Sequence, residues 1–254
     1  MDKETIIYGK NAVIEALENE NRDFNKILIH NNSRADLKIE KIKTLAQKRG
    51  IVYQFVAKEK LNSFIPEGKH QGVIAQIAPI KYIELEDFLE QNKNGFSPIV
   101  ILDGIEDSHN VGAIIRSCVC AGIKGIILPS RRGVLINSTV EKTSAGAINQ
   151  ISIIKTNSLV NTIQRLKENN YWVIASDHHS EHNHYEIDYT DMNFALIMGA
   201  EHAGISRSLL KLADFKISIP MLTNFNSLNV SNATAIILFE YVSQLCKKNK
   251  RVIK

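Results

Sequence analysis

Apolar positions along the chain fall into two regimes. From residue 98 onward, uninterrupted runs such as IVIL at 99–102, GIIL at 125–128 and FALIM at 194–198 alternate with stretches of helical period. Runs of that length between helices mark parallel strands covered on both faces. The pattern predicts strands over 98–103, 125–129, 151–155, 171–176, 194–199 and 215–219, and helices over 111–121, 138–145, 158–169, 205–212 and 231–247. Ser138 and Glu141 have the S-x-x-E spacing of a capping box, which predicts a helix start. Before residue 79 the elements are shorter: strands at 5–8, 26–30, 51–56 and 71–77, a helix at 10–18, and a helix capped by Ser33 that runs to Arg49 on Ala35, Ile39, Ile42 and Ala46. Residues 79–97 hold Pro79, a short helix at 85–91 and the polar run QNKNG, and read as a linker between domains at 1–78 and 98–254.

Three predicted strands run into polar turns that precede helices: LDGIEDSHNVGAIIRS at 102–117, IMGAEHAGISR at 197–207 and FKISIPMLTNFNSLNVSNATAIILFE at 215–240. Loops at strand carboxyl ends are where open parallel sheets hold ligands, and unpaired N–H groups accumulate at the helix starts that follow. Ser231 or Asn229 is a candidate N-cap of the last helix, and capping stands as the plainer reading of both beside a ligand-holding one. No G-x-G-x-x-G follows a predicted strand and there is no G-x-x-x-x-G-K-[ST], so neither a Rossmann dinucleotide site nor a P-loop is supported. Gly199 and Gly204 suit a close backbone approach or a sharp turn.

Composition narrows the partners only slightly. The 254 residues carry a net charge of +4, with 13 Lys and Arg against 10 acids in residues 1–78, 2 against 4 in 79–97, and 16 against 13 in 98–254. Nucleic acid binding must therefore use local clusters: Arg131 with Arg132, Lys48 with Arg49, or Lys247, Lys248, Lys250 and Arg251, each of which also reads as a solvated face. Three cysteines, an odd number, read as reduced thiols, and no apolar run approaches a membrane span or a secretory signal, so a cytoplasmic protein is expected. Four histidines in DHHSEHNHYE at 177–186 match no standard zinc spacing, and no metal is expected.

In this order the three segments resemble the three motifs of the SpoU (TrmH) branch of the SPOUT RNA methyltransferases, in particular its 23S rRNA guanosine 2'-O-methyltransferases. GKNAVIEAL at 9–17 and HQGVIAQI at 70–77 are similar to pieces of that family's L30e-like RNA substrate-binding domain. The resemblance implies an α/β-knot, a parallel sheet with a C-terminal trefoil knot and residues 217–232 threaded, preceded by a small L30e-like α/β domain. It also implies S-adenosylmethionine held by Met198, Gly199, Gly204, Ile219, Met221, Ser227 and Leu228, an RNA substrate, and a homodimer with the last helix near the interface. Asn110, Arg116, Glu201, Asn229 and Ser231 become the implied catalytic residues. The Arg116 guanidinium suits bidentate binding of an RNA phosphate, and without the resemblance it reads as a surface arginine paired with Glu106 or Glu201. Ser108 stands where the family often has proline, and His202 where it usually has a small residue. A tRNA enzyme, a resistance-type rRNA methyltransferase and a non-catalytic RNA-binding assembly protein are the competing readings.

Overall fold

The computed structural model describes residues 5–18, 23–33, 36–66, 69–77, 80–223 and 227–249, in two compact units, Met1–Ile80 and Lys81–Lys254. The first unit contains β1 (Thr5–Tyr8), α1 (Lys10–Glu18), β2 (Phe24–His30), α2 (Leu37–Lys48), β3 (Tyr53–Val56), α3 (Lys58–Asn62) and β4 (Val73–Ile77). Its sheet runs β1-β4-β2-β3, with β4 antiparallel to both neighbours and β2 parallel to β3. Side chains alternate across a strand, so Ile27, Ile29, Val73 and Ala75 pack with Val13, Leu17, Ile39, Ile42 and Ala46 of the two longer helices. Leu28 and Ile74 turn the other way, onto Leu61.

Helix α2 starts later than the expected Ser33 cap. Ser33 closes a short 3-10 turn, and Asp36 caps the helix by accepting from Lys38 N at 2.9 Å and Ile39 N at 3.3 Å. A carboxylate is favoured there because it also binds Lys10 Nζ at 2.6 Å. Ala35 and Pro79, used in the sequence reading, lie outside the described residues.

The second unit contains β5 (Tyr82–Ile83), α4 (Leu85–Asn92), β6 (Ile99–Asp103), α5 (Ser108–Cys120), β7 (Gly125–Pro129), α6 (Ser138–Thr143), β8 (Ser152–Thr156), α7 (Leu159–Glu168), β9 (Tyr171–Ser176), β10 (Asn193–Gly199), α8 (Arg207–Leu210), β11 (Phe215–Ile217) and α9 (Val230–Asn249). Seven strands in the order β11-β9-β10-β6-β7-β8-β5 are all parallel, as the uninterrupted apolar runs require. Ile99, Ile101, Ile127, Ile154, Val173, Ala175, Ala195 and Ile197 form one face of the core with Phe88, Ile163, Leu166 and Leu209.

The connector expected at 79–97 is corrected here. Tyr82 and Ile83 pair with Ile153 and Ile154 as the edge strand, and Phe88 is fully buried against Gly125, where an added Cβ would meet the Phe88 ring at 2.9 Å. The acidic residues of LEDFLE hid its amphipathic face, Leu85 and Phe88, one helical turn apart. Phe88→Ala is accordingly expected to destabilise the protein by about 3–5 kcal/mol. Denaturant unfolding measures this, and an unchanged midpoint would mean that the segment is a tether after all.

Other boundaries shift for local reasons. Helix α6 is capped by Asn137, whose Oδ1 accepts from Thr139 N and Val140 N at 3.0 Å each, rather than by the expected box beginning at Ser138. Strand β11 ends at Ile217, after which Ser218 bridges Asn183 and its N–H donates to His182 O at 2.8 Å. The histidine-rich loop is thereby laid along the strand's extension, and among the described residues no group of three or more His, Cys, Asp or Glu is placed to hold a metal ion. The threading expected of residues 217–232 runs through 224–226, outside the described residues. The three cysteines are free, and burial pushes the Cys118 thiol far above its ordinary range. Among the described residues no helix is long and apolar enough to cross a membrane.

Candidate active site

Three loops at the carboxyl ends of β6 and β10 and at the start of α9 build the site. Asp107 caps α5 and accepts from Asn110 N at 2.7 Å, so the helix begins at Ser108 rather than at 111 and Asn110 sits on a fixed first turn. Gly112 lets α5 lie against α6, since a Cβ there would come within 2.6 Å of Thr143 Cβ and 2.9 Å of Val140 O. After β10 the chain doubles back: Gly204, with φ +64°, donates its N–H to Ala200 O at 2.8 Å, and an added Cβ on Gly199 would lie 2.2 Å from Gly204 C. Asp103, at the end of β6, clamps that turn from both ends. Its carbonyl accepts from Ala200 N at 3.1 Å and its carboxylate from Ser206 N at 2.7 Å.

Glu201 projects from the clamped turn, and its Oε1 accepts from Asn110 Nδ2 at 3.1 Å and Asn229 Nδ2 at 2.8 Å. A carboxylate only accepts, so both amides must turn their NH2 groups toward it. Asn229 Nδ2 spends its second proton on Asn110 Oδ1 at 2.8 Å, which closes a triangle of three side chains drawn from three motifs. Asn229 Oδ1 in turn accepts from Ser231 N at 3.0 Å and Ser231 Oγ at 2.5 Å. Asn229 is therefore the cap of α9, and the hydroxyl proton of Ser231 is committed inward. Glu201 Oε2, one amide proton of Asn110 and the lone pairs of Ser231 Oγ stay free for a ligand among the described residues.

Of the residues singled out from the sequence, Asn110, Glu201, Asn229 and Ser231 come together. Arg116 does not join them: six positions after Asn110 it lies about 240° around the helix. It is exposed and makes no hydrogen bond or ion pair among the described residues, so neither the expected bond to Glu201 nor the pairing with Glu106 forms. Met198 is buried in β10 and offers a ligand only main chain, Gly199 and Ile219 are half-buried, and Gly204, Met221, Ser227 and Leu228 are exposed. Sequence reasoning missed Asp103 and Asp107. Asp107 was findable as an Asp three residues before Asn110 at a strand-to-helix turn. Asp103 was not, since its partner is Ser206, 103 residues away. Ser108, at the position where proline was expected, accepts from Asn137 Nδ2 at 2.9 Å and ties the α6 cap to the start of α5.

An open parallel sheet whose strand-end loops gather an amide, carboxylate and hydroxyl network defines an α/β protein that holds its ligand at the strand carboxyl ends. The chain belongs to the SpoU rRNA methylase family, which residues 97–239 match, while residues 6–83 match the family described as RNA 2'-O ribose methyltransferase substrate binding. A curated Staphylococcus aureus protein assigned to the TrmH family of tRNA/rRNA methyltransferases is 38% identical over 240 residues, 94% of this chain and 95% of its own. Among solved structures, the SpoU methyltransferase AviRb from Streptomyces viridochromogenes superposes with a TM-score of 0.75 at 21% identity, covering 96% of this chain and 91% of that one. An AdoMet-bound rRNA methyltransferase from Sinorhizobium meliloti gives 0.74 at 24%, covering 96% and 88%. A TrmH/SpoU tRNA modifying enzyme from A. aeolicus gives 0.56 at 32% identity, with 65% of this chain and 86% of that one covered.

Proposed function

We propose that the protein methylates a ribose 2'-oxygen in RNA, at a guanosine of 23S rRNA, with S-adenosylmethionine as donor. The observation that carries this reading is the closed triangle of Asn110, Glu201 and Asn229, in which three separated motifs of a methylase family are joined by side-chain bonds. The fit to the donor rests on Gly204, where space for a Cβ stands empty, and on the exposed apolar side chains of Met221 and Leu228. Those residues with Gly199, Ile219, Ser227 and the main chain of Met198 would hold it, and it supplies an electrophilic methyl on a good leaving group. An rRNA rather than a tRNA substrate is supported by coverage: the S. meliloti rRNA enzyme covers 96% of this chain, the A. aeolicus tRNA enzyme 65%.

The chain's own task is to align a sugar hydroxyl and help its proton leave. Glu201 Oε2 and Ser231 Oγ are free to accept from that hydroxyl, and the remaining Asn110 amide proton is free to donate to the sugar. Arg116, exposed and unpaired among the described residues, binds an RNA phosphate; a guanidinium gives up its proton too reluctantly to serve as base. Arg116 lies on a different face of α5 from Asn110, so on this reading it serves the centre of the second copy in a homodimer. The exposed Ile236 and Phe239 of α9, opposite the buried Thr234, Ile237 and Leu238, support that pairing.

The deciding assay incubates the protein with labelled S-adenosylmethionine and RNA from cells lacking the gene, then maps ribose methylation. Label at the 2'-oxygen of a 23S rRNA guanosine is expected; label confined to bases or to tRNA overturns the reading. Arg116→Lys is expected to lower turnover roughly tenfold at saturating donor, because a point charge replaces a bidentate fork.

A further inference from the structure

Residues 130–137, between β7 and α6, form a turn held open at the same edge of the sheet as the triangle. Ser130 N donates to Thr156 O at 2.7 Å, Val134 N to Ile105 O at 3.3 Å, and Asn137 Nδ2 to Ser108 Oγ at 2.9 Å, two residues before Asn110. Arg131 and Arg132 stand at its tip, both exposed and without a hydrogen bond or ion pair among the described residues. Arg132 has φ +55°, a left-handed conformation that a long side chain adopts only under local strain and that glycine adopts freely. The chain turns there because Gly133 lies against Pro129, where an added Cβ would come within 2.8 Å of the Pro129 carbonyl. On the far side of the turn Ile136 N donates to Tyr82 Oη at 3.4 Å, and Lys155 Nζ stands 5.0 Å from the centre of the half-exposed Tyr82 ring.

We infer that this turn is the clamp for the RNA strand flanking the target ribose, with Arg131 and Arg132 on successive phosphates and the Lys155–Tyr82 pair beyond them. The placement follows the strand order: β6, β7 and β8 are neighbours, so cations carried at the ends of β7 and β8 extend about 10 Å sideways from the end of β6, where the triangle begins. Phosphate is the ligand class that two adjacent free guanidinium forks fit, and an aromatic ring under a cation fits a base stacked at the strand's edge. Arg132 is exposed and makes no hydrogen bond or ion pair among the described residues, so no polar contact within the chain accounts for an arginine in this conformation. The inference rests on the RNA-methylating reading above and names where that RNA runs.

The test measures affinity for a fluorescently labelled single-stranded RNA of mixed sequence across a salt series, for the wild type, Arg131→Ala/Arg132→Ala and Arg132→Gly. The double variant is expected to bind roughly tenfold more weakly and to lose about 1.4 from the slope of log affinity against log salt, at about 0.7 per phosphate of a single strand. Arg132→Gly is expected to lose about 0.7 while its melting temperature holds or rises, because glycine relieves the strained backbone. S-adenosylmethionine affinity should stay within about twofold in both. A wild type that methylates RNA while both variants keep its slope overturns the clamp alone. Weaker binding that tracks a lowered melting temperature in both variants also overturns it, and a wild type with no salt-dependent RNA binding overturns the clamp together with the proposed function.

Discussion

Glu201→Ala is expected to lower kcat/KM by about 10²–10³-fold, some 3–4 kcal/mol of transition-state stabilisation, with little change in melting temperature. The carboxylate is the only acceptor that the Asn110 and Asn229 amides share, so its removal breaks two of the triangle's three bonds and leaves Asn110 held only through its Oδ1, which accepts from Asn229 Nδ2. Glu201 and Asn229 are exposed and Asn110 is only half-buried, which is why stability barely changes: released amide groups find water. Glu201→Gln separates two roles. Glutamine keeps one oxygen for the two amides but replaces Oε2 with a donor, so a residue that merely orients asparagines would tolerate it. On the proposed reading Oε2 receives the sugar hydroxyl, and glutamine should fall nearly as far as alanine. Single-turnover rates with calorimetric donor affinities measure both, and a glutamine variant within threefold of wild type would limit Glu201 to orientation.

Gly199→Ala is expected to weaken donor binding by at least tenfold and to destabilise the second unit by about 1–3 kcal/mol. The added methyl would lie 2.2 Å from Gly204 C, 2.4 Å from Ile205 N and 2.5 Å from Gly204 O, all backbone atoms that have no rotamer to escape into. The turn must open, and with it go the bonds of Ala200 N and Ser206 N to Asp103. Gly204→Ala is the comparison for stability in the absence of donor. Nothing stands where its Cβ would go, so only the strained φ of +64° opposes it, at about 1 kcal/mol. Donor titration checks the loss of binding at Gly199, and thermal unfolding without donor decides its cause: equal destabilisation at the two glycines would mean that conformation, not close packing, fixes the turn.

Much of this molecule was legible before folding was considered. Runs such as IVIL and FALIM could only be strands buried on both faces, and they became adjacent parallel strands, β6 and β10, paired from Ile99 with Ala195 to Asp103 with Gly199. Resemblance of the three polar turns pointed to Asn110, Glu201, Asn229 and Ser231, which did converge. The segment 79–97 misled because polar residues on one side of α4 outnumber the apolar ones, while burial depends only on the side that Phe88 occupies.

The sequence by itself determined the elements and the residue types at the strand ends, because period and turn chemistry act over a few neighbouring residues. Which groups share protons was decided only by the tertiary structure. Asn110, Glu201 and Asn229 are separated by 91 and 28 residues, and Asp103 by 103 from the N–H it holds, and no local preference spans such distances. The direction in which Arg116 points belongs to the same class: helix α5 fixes its face relative to Asn110, and packing of that helix on α6 through Gly112 fixes the face relative to everything else.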